Sequence, residues 1–174
     1  MEASGAPTLE ARLRAVEDQL AIMRLLAAYG PLVDAGECEA AAALWTPKGA
    51  YDIGDKHRAE GQAAIADLYK NETHQGLIRR GSGHVTGMPF ININGDMAEA
   101  VAHSFVLLRG DEGWSVWRAS ANHWDLRRDA NGWRIAERRN RILDGSACSH
   151  AALRAGIMAP SEVVENETGG HGDD

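Results

Sequence analysis

Asp34, in Tyr29-Gly-Pro-Leu-Val-Asp34, and His84, in Gly81-Ser-Gly-His84-Val-Thr, are a carboxylate and an imidazole, side-chain types that general base catalysis can use as a pair. A carboxylate hydrogen-bonded to an imidazole fixes the tautomer and stabilises the imidazolium, leaving the other ring nitrogen to take a proton. The two lie far apart in the chain. They act together only if the end of one element is folded against the start of another.

The elements predicted around them suit that purpose. After Thr8, a residue type that caps helices, Leu9, Leu13, Val16, Leu20, Met23 and Leu26 recur at intervals of three and four and predict a long amphipathic helix. Gly30-Pro31 is expected to end or kink it, placing Asp34 at a bend. A short helix is predicted over Glu37 to Trp45, broken by Thr46-Pro-Lys-Gly49 ahead of a short strand from Tyr51 to Ile53. A third helix is predicted from Gln62 to about Thr73.

The period then changes to that of strands, over 84–94, 98–109, 114–128 and 133–143. The separators are Asn94-Gly95, Asp111-Glu-Gly113 and Asn131-Gly132, and Asn-Gly between extended runs marks a hairpin. Helices followed by an antiparallel meander predict an α+β domain with His84 opening the first strand. On the third strand Trp114, Val116, Asn122, Trp124 and Leu126 occupy one parity and Trp117, Ala119, Ala121 and His123 the other, so apolar side chains fall on both. Both sheet faces are therefore expected to be covered, the outer one by a partner subunit or the C-terminal segment.

Composition bounds the rest. The 174 residues suit one domain, and no apolar run approaches the roughly 20 residues that span a bilayer. The amino terminus has no secretory pattern, so a soluble cytoplasmic protein is expected. The net charge is −7, but Glu162, Glu165, Glu167, Asp173 and Asp174 sit in the tail, and the nearly neutral body argues against nucleic acid as partner. Cys38 and Cys148 fit no metal spacing, and His84, His103 and His123 fall in separate strands without a metal-binding grouping. No nucleotide or dinucleotide motif occurs, so cofactor-independent chemistry is the expectation. Residues 1–8 and 161–174 are expected to be disordered, and 147–160 to pack over a pocket mouth or a neighbouring subunit.

The stretches Arg24 to Tyr29 running on to Asp34-Ala-Gly-Glu37, Leu44 to Asp52, His84-Val-Thr, Ile93 to Ala98 and Asn131 to Arg138 resemble the SnoaL-like branch of the nuclear transport factor 2-like superfamily, over about residues 9 to 143. The resemblance implies a cone-shaped α+β barrel, a curved sheet wrapped around helices with a deep apolar pocket. The placement of Asp34 and His84 is similar to that in scytalone dehydratase, hexachlorocyclohexane dehydrochlorinase and bile-acid 7α-dehydratase. In those members an aspartate-supported histidine is the base for an elimination. Tyr29 looks like the bile-acid enzyme's tyrosine, His103 like a second pocket histidine and Arg138 like the dehydrochlorinase arginine. Tyr51 and Met88 complete the expected substrate-binding set. The asparagine that many members carry shortly after the histidine is absent, since Gly87 and Met88 occupy that stretch.

Family membership specifies architecture better than chemistry. The leading expectation is a lyase removing a proton from a hydrophobic, oxygenated molecule such as a steroid, terpenoid, polyketide or aromatic. An isomerase or cyclase with the same base, and a non-catalytic binding module resembling a dioxygenase small subunit, are the alternatives. A homotrimer or homodimer is expected.

Overall fold

The computed structural model describes residues 7–54 and 57–158. The terminal stretches expected to be disordered fall largely outside these residues.

Helix α1 (Leu9–Asp34) starts where Thr8 accepts a hydrogen bond from the Ala11 amide at 3.2 Å. It does not break at Gly30-Pro31. Pro31 lies within the last turn, where one missing donor is tolerated because Ile22, Leu26, Tyr29 and Val33 anchor that half in the core. The predicted apolar stripe is buried only there. Leu9, Leu13, Val16 and Leu20 are more than half exposed, because the face that docks on the sheet runs instead through Asp18, which bonds Arg128 at 2.6 Å and Trp133 at 3.0 Å, and on through Ile22, Leu26, Tyr29 and Val33.

Helix α2 (Cys38–Ala42) is shorter than expected, and strand β1 (Trp45–Asp52) begins at Trp45. Pro47 sits in the register slip between Trp45 and Ala50, where a strand can spare an amide. Strand β2 (Arg58–Glu60) pairs antiparallel with β1. The predicted third helix is divided into α3 (Gln62–Lys70) and α4 (Glu72–Arg80), because the Asn71 side chain turns back to cap α4 through the His74 amide at 2.8 Å.

The long strand expected over 84–94 is two, β3 (Ser82–Thr86) and β4 (Phe90–Asn94), separated by Gly87-Met88-Pro89 and both antiparallel to β5 (Met97–Gly110). Strands β6 (Gly113–Asp129) and β7 (Gly132–Ile142) complete the hairpins, and β1 joins β7 in parallel. The sheet is therefore seven-stranded and mixed, in the order β2-β1-β7-β6-β5-β3 with β4 also on β5, rather than a four-stranded meander.

The sheet curves around the helices without closing. Ala100 and Ala102 of β5, Trp124 and Leu126 of β6 and Ile135 of β7 join α1 and α3 in the core. Helix α5 (Ala147–Arg154) packs on β5, β6 and β7, against the face that carries His123, Arg139 and Arg141. The C-terminal segment thus covers the outer face of its own sheet rather than a pocket mouth. Trp114, Val116 and Trp117, on the protruding end of the β5–β6 hairpin, remain exposed. No described helix is long and apolar enough to cross a membrane.

Candidate active site

The site begins with a close approach. A Cβ on Gly30 would lie 2.0 Å from the His84 carbonyl oxygen, so α1 and β3 come this near only because residue 30 has no side chain. One helical turn on, Asp34 meets the same strand. Its Oδ1 accepts from the Ser82 hydroxyl at 2.7 Å and lies 2.7 Å from His84 Nδ1, while Oδ2 accepts the His84 backbone amide at 2.7 Å. Burial works against the charge of this carboxylate. The hydrogen bonds from His84 and Ser82 outweigh it, holding Asp34 below its ordinary value. An ionised carboxylate only accepts, so Nδ1 carries a proton, and in the neutral ring Nε2 is left as the basic nitrogen.

His84 lines an inner recess of about 40 Å³ that shares Tyr29, Tyr51, Val106 and Arg118 with a wider chamber of about 560 Å³. Tyr29 meets the His84 ring edge-on, with centroids 6.3 Å apart. Arg138 is buried, its guanidinium 4.2 Å from the Tyr29 ring centroid, 4.7 Å from that of Tyr51 and 5.6 Å from that of Trp124. Burial opposes its charge, but the surrounding tyrosines outweigh that and it remains a guanidinium. Its Nε donates to Asn122 Oδ1 at 2.9 Å, and Asn122 in turn donates to Ser104 Oγ at 2.6 Å. Burial pushes the Tyr51 and Tyr69 hydroxyls well above the ordinary phenol range, so both are neutral donors.

Tyr29, Tyr51 and Arg138 therefore stand around the cavity that His84 lines. His103 does not: it is exposed, because Ala102 and Ser104 take the inward positions of β5 and the alternation turns residue 103 outward. Met88 does not either. It is 86 % exposed in the link between β3 and β4, beside a separate groove formed with Met23 and Leu26.

The second histidine at the site is one that sequence reasoning missed. His74 of α4 lines the wider chamber and stacks on His84. Tyr69, Arg118 and Asn140 were also missed. The available signals were the Asn71 cap that starts a new helix, and the polar Arg118, Ser120 and Asn122 sharing the parity of Trp124 and Leu126 on β6. The Tyr69 hydroxyl and His74 Nε2 are buried without a hydrogen-bond partner among the described residues.

Outside the cavity, Glu99, His123 and Asp125 bring donor atoms within 4.8 Å of one another. Arg139 Nη1 lies 3.1 Å from His123 Nδ1, and His123 Nε2, 3.3 Å from Glu99, is buried without a hydrogen bond among the described residues.

The SnoaL-like domain model matches residues 14–139. A nuclear transport factor 2-like protein with a cystatin-like fold from Novosphingobium aromaticivorans is 40% identical, with a TM-score of 0.82 over 87% of this chain and 99% of its own. A protein of unknown function from Mycobacterium tuberculosis, studied as an Asp-to-Asn variant, is 25% identical, with a TM-score of 0.64 over 71% of this chain and 74% of its own. A Catenulispora acidiphila protein in complex with S-DNPA is 24% identical and shares the fold, with a TM-score of 0.61 over 76% of this chain and 94% of its own. No protein of curated function matches. The extent of the domain match and the 40% identity over nearly the whole of one relative show that this chain belongs to the SnoaL-like family of the nuclear transport factor 2-like superfamily.

Proposed function

We propose that the protein is a cofactor-independent lyase that eliminates water, or a comparable leaving group, from a hydrophobic oxygenated small molecule of steroid, terpenoid, polyketide or aromatic type. His84 Nε2 takes the proton from carbon, the carbon–carbon double bond forms, and the leaving hydroxyl departs as water after accepting a proton from Tyr29 or solvent. Asp34 stabilises the imidazolium. Tyr51, Tyr69 and the Arg138 charge behind Tyr29 balance negative charge that develops on a substrate oxygen. The observation that carries this reading is the contact of Asp34 with both the ring and the backbone amide of His84, at the wall of a cavity lined by neutral donors.

The same constellation serves an isomerase if the proton returns to another carbon, and the three tyrosines suit an enolate in either reaction. Incubation with hydroxylated steroids, terpenoids and aromatics, followed by mass spectrometry, separates them. A product lacking one water, absent with His84→Gln, supports the lyase. An isobaric product points to the isomerase, and undiminished turnover by His84→Gln overturns both. We further propose a cytoplasmic homodimer or homotrimer, in which the exposed Leu9, Leu13, Val16 and Leu20 stripe of α1 and the hairpin tryptophans are covered.

A further inference from the structure

The cavity carries positive charge that no carboxylate answers. Arg118, half-buried on the inner face of β6, lines both the recess and the chamber. Its Nε donates to Ser120 Oγ at 3.1 Å and its Nη2 to Asn140 Oδ1 at 2.6 Å, both neutral acceptors. A guanidinium has five N–H groups, so donors remain, including all of Nη1. Arg138, deeper in the same wall, is held by Asn122 and aromatic faces. Among the described residues neither arginine has an ion pair.

The nearby carboxylates are already engaged, Asp34 by His84 and Ser82 and Glu72 by Arg79. The Tyr51 and Tyr69 hydroxyls are neutral. A partly dehydrated cation without a counter-charge is costly, and a concave site of one sign attracts the opposite one.

Register places this charge relative to the base. His84 is opposite Val106 across β3–β5, and Val106 is opposite Arg118 across β5–β6. Directly opposed residues point to the same face, so base and guanidinium rise on either side of Val106, roughly 10 Å apart at their Cα atoms by two strand spacings. Val106 lines both parts of the cavity.

Resting on the reading of this cavity as a substrate site, we propose that the substrate carries a carboxylate, bound by Arg118 through Nη1 and Nη2, and that its carbon skeleton lies across Val106 with the reacting C–H at His84. One accessible guanidinium fork matches the two oxygens of a carboxylate and its single charge, rather than a phosphate dianion. The substrate class narrows from a neutral apolar molecule to an amphipathic organic acid. Arg118 is its specificity-determining residue.

The test uses 2-naphthoate, methyl 2-naphthoate and 2-naphthyl phosphate, titrated calorimetrically at one ionic strength and pH 7 against the full chain. The wild type should bind the acid about tenfold or more tightly than the ester, the equivalent of one charge-assisted pair. Arg118→Met should erase that preference and leave ester affinity unchanged. Arg118→Lys, which keeps the charge, should retain part of it and guards against a fold-wide effect of the Met variant.

Equal or tighter binding of the ester, a preference that survives Arg118→Met, phosphate binding tighter than carboxylate, or acid binding weaker than about 1 mM would each overturn the proposal. The failures of the two readings are distinguishable. A chain that prefers the acid but turns nothing over fails as a lyase alone. One that eliminates water from neutral substrates without regard to Arg118 fails this inference alone.

Discussion

The imidazole of His74 lies on that of His84, with 5.4 Å between ring centroids and 28° between planes. Two stacked imidazoles cannot both be cations cheaply. Burial, and then the His84 charge, lower the affinity of His74 for a proton below its ordinary value of 6.5, against a smaller opposing pull from Asp34.

A His that resists protonation in the fold destabilises it wherever the unfolded chain takes the proton first. There is no penalty above the unfolded value of 6.5, and stability is lost as pH falls below it. Urea unfolding at pH 7 and pH 5 should therefore show a larger loss for wild type than for His74→Gln. An identical loss in the two proteins would refute the coupling. Asp34 acts in a separate window: its contribution is complete above 3.8 and disappears as pH falls through its lowered folded value.

Asp34→Asn and His84→Gln should each lower turnover by about 10²–10⁴-fold, since either removes an effective base. An amide facing Nδ1 can donate to it and move the ring proton to Nε2, which disables the base without moving it. The double variant should therefore be scarcely worse than the weaker single variant. Fully additive losses in kcat would show that the two residues do not act as a unit.

Gly30→Ala should destabilise the protein by about 1–3 kcal/mol or more, because the added methyl meets the His84 carbonyl of β3 and neither backbone can yield easily. Chemical denaturation measures this. A loss below about 0.5 kcal/mol would mean that α1 and β3 are not in the close contact described.

Tyr69→Phe should leave the ligand-free protein as stable as wild type or up to about 1 kcal/mol more so, because it removes a buried hydroxyl without a partner. A clear loss of stability by thermal or urea unfolding would show that the hydroxyl is satisfied in solution.

Light scattering at micromolar concentration should give a mass at least twice 18.8 kDa. Val16→Glu, in the exposed stripe of α1, should shift it toward the monomer. A monomeric wild type would remove the basis of the assembly.

The start of α1 at Thr8 was legible because a cap acts through its own side chain, and the hairpins because Asn94-Gly95 and Asn131-Gly132 dictate local backbone. Features decided by distant partners were not. Pro47 reads as a breaker, yet its strand is held by β7, whose slip spares the missing donor. Which face of α1 is buried depends on where the sheet meets it, through Asp18 and Ile22 rather than Leu20, and no periodicity within the helix records that. At the site, Asp34 and His84 stood out through family resemblance. His103 was misplaced because its direction depends on the register of β5, and Arg118 was passed over because an inward cation reads as solvated until the sheet curves around it.

The Gly30 contact also has a consequence in time. The β5–β6 and β6–β7 hairpins join residues close in sequence, whereas Asp34 and His84 are 50 residues apart and meet only when α1 docks on β3. Loop closure makes such long-range contacts slow relative to hairpins. During refolding the His84 amide, which donates to Asp34, should gain protection from hydrogen exchange after the paired amides of β6, so the chain passes through a state with a nearly complete sheet and no assembled base. Simultaneous protection in pulse-labelling would show that helix and sheet arrive together.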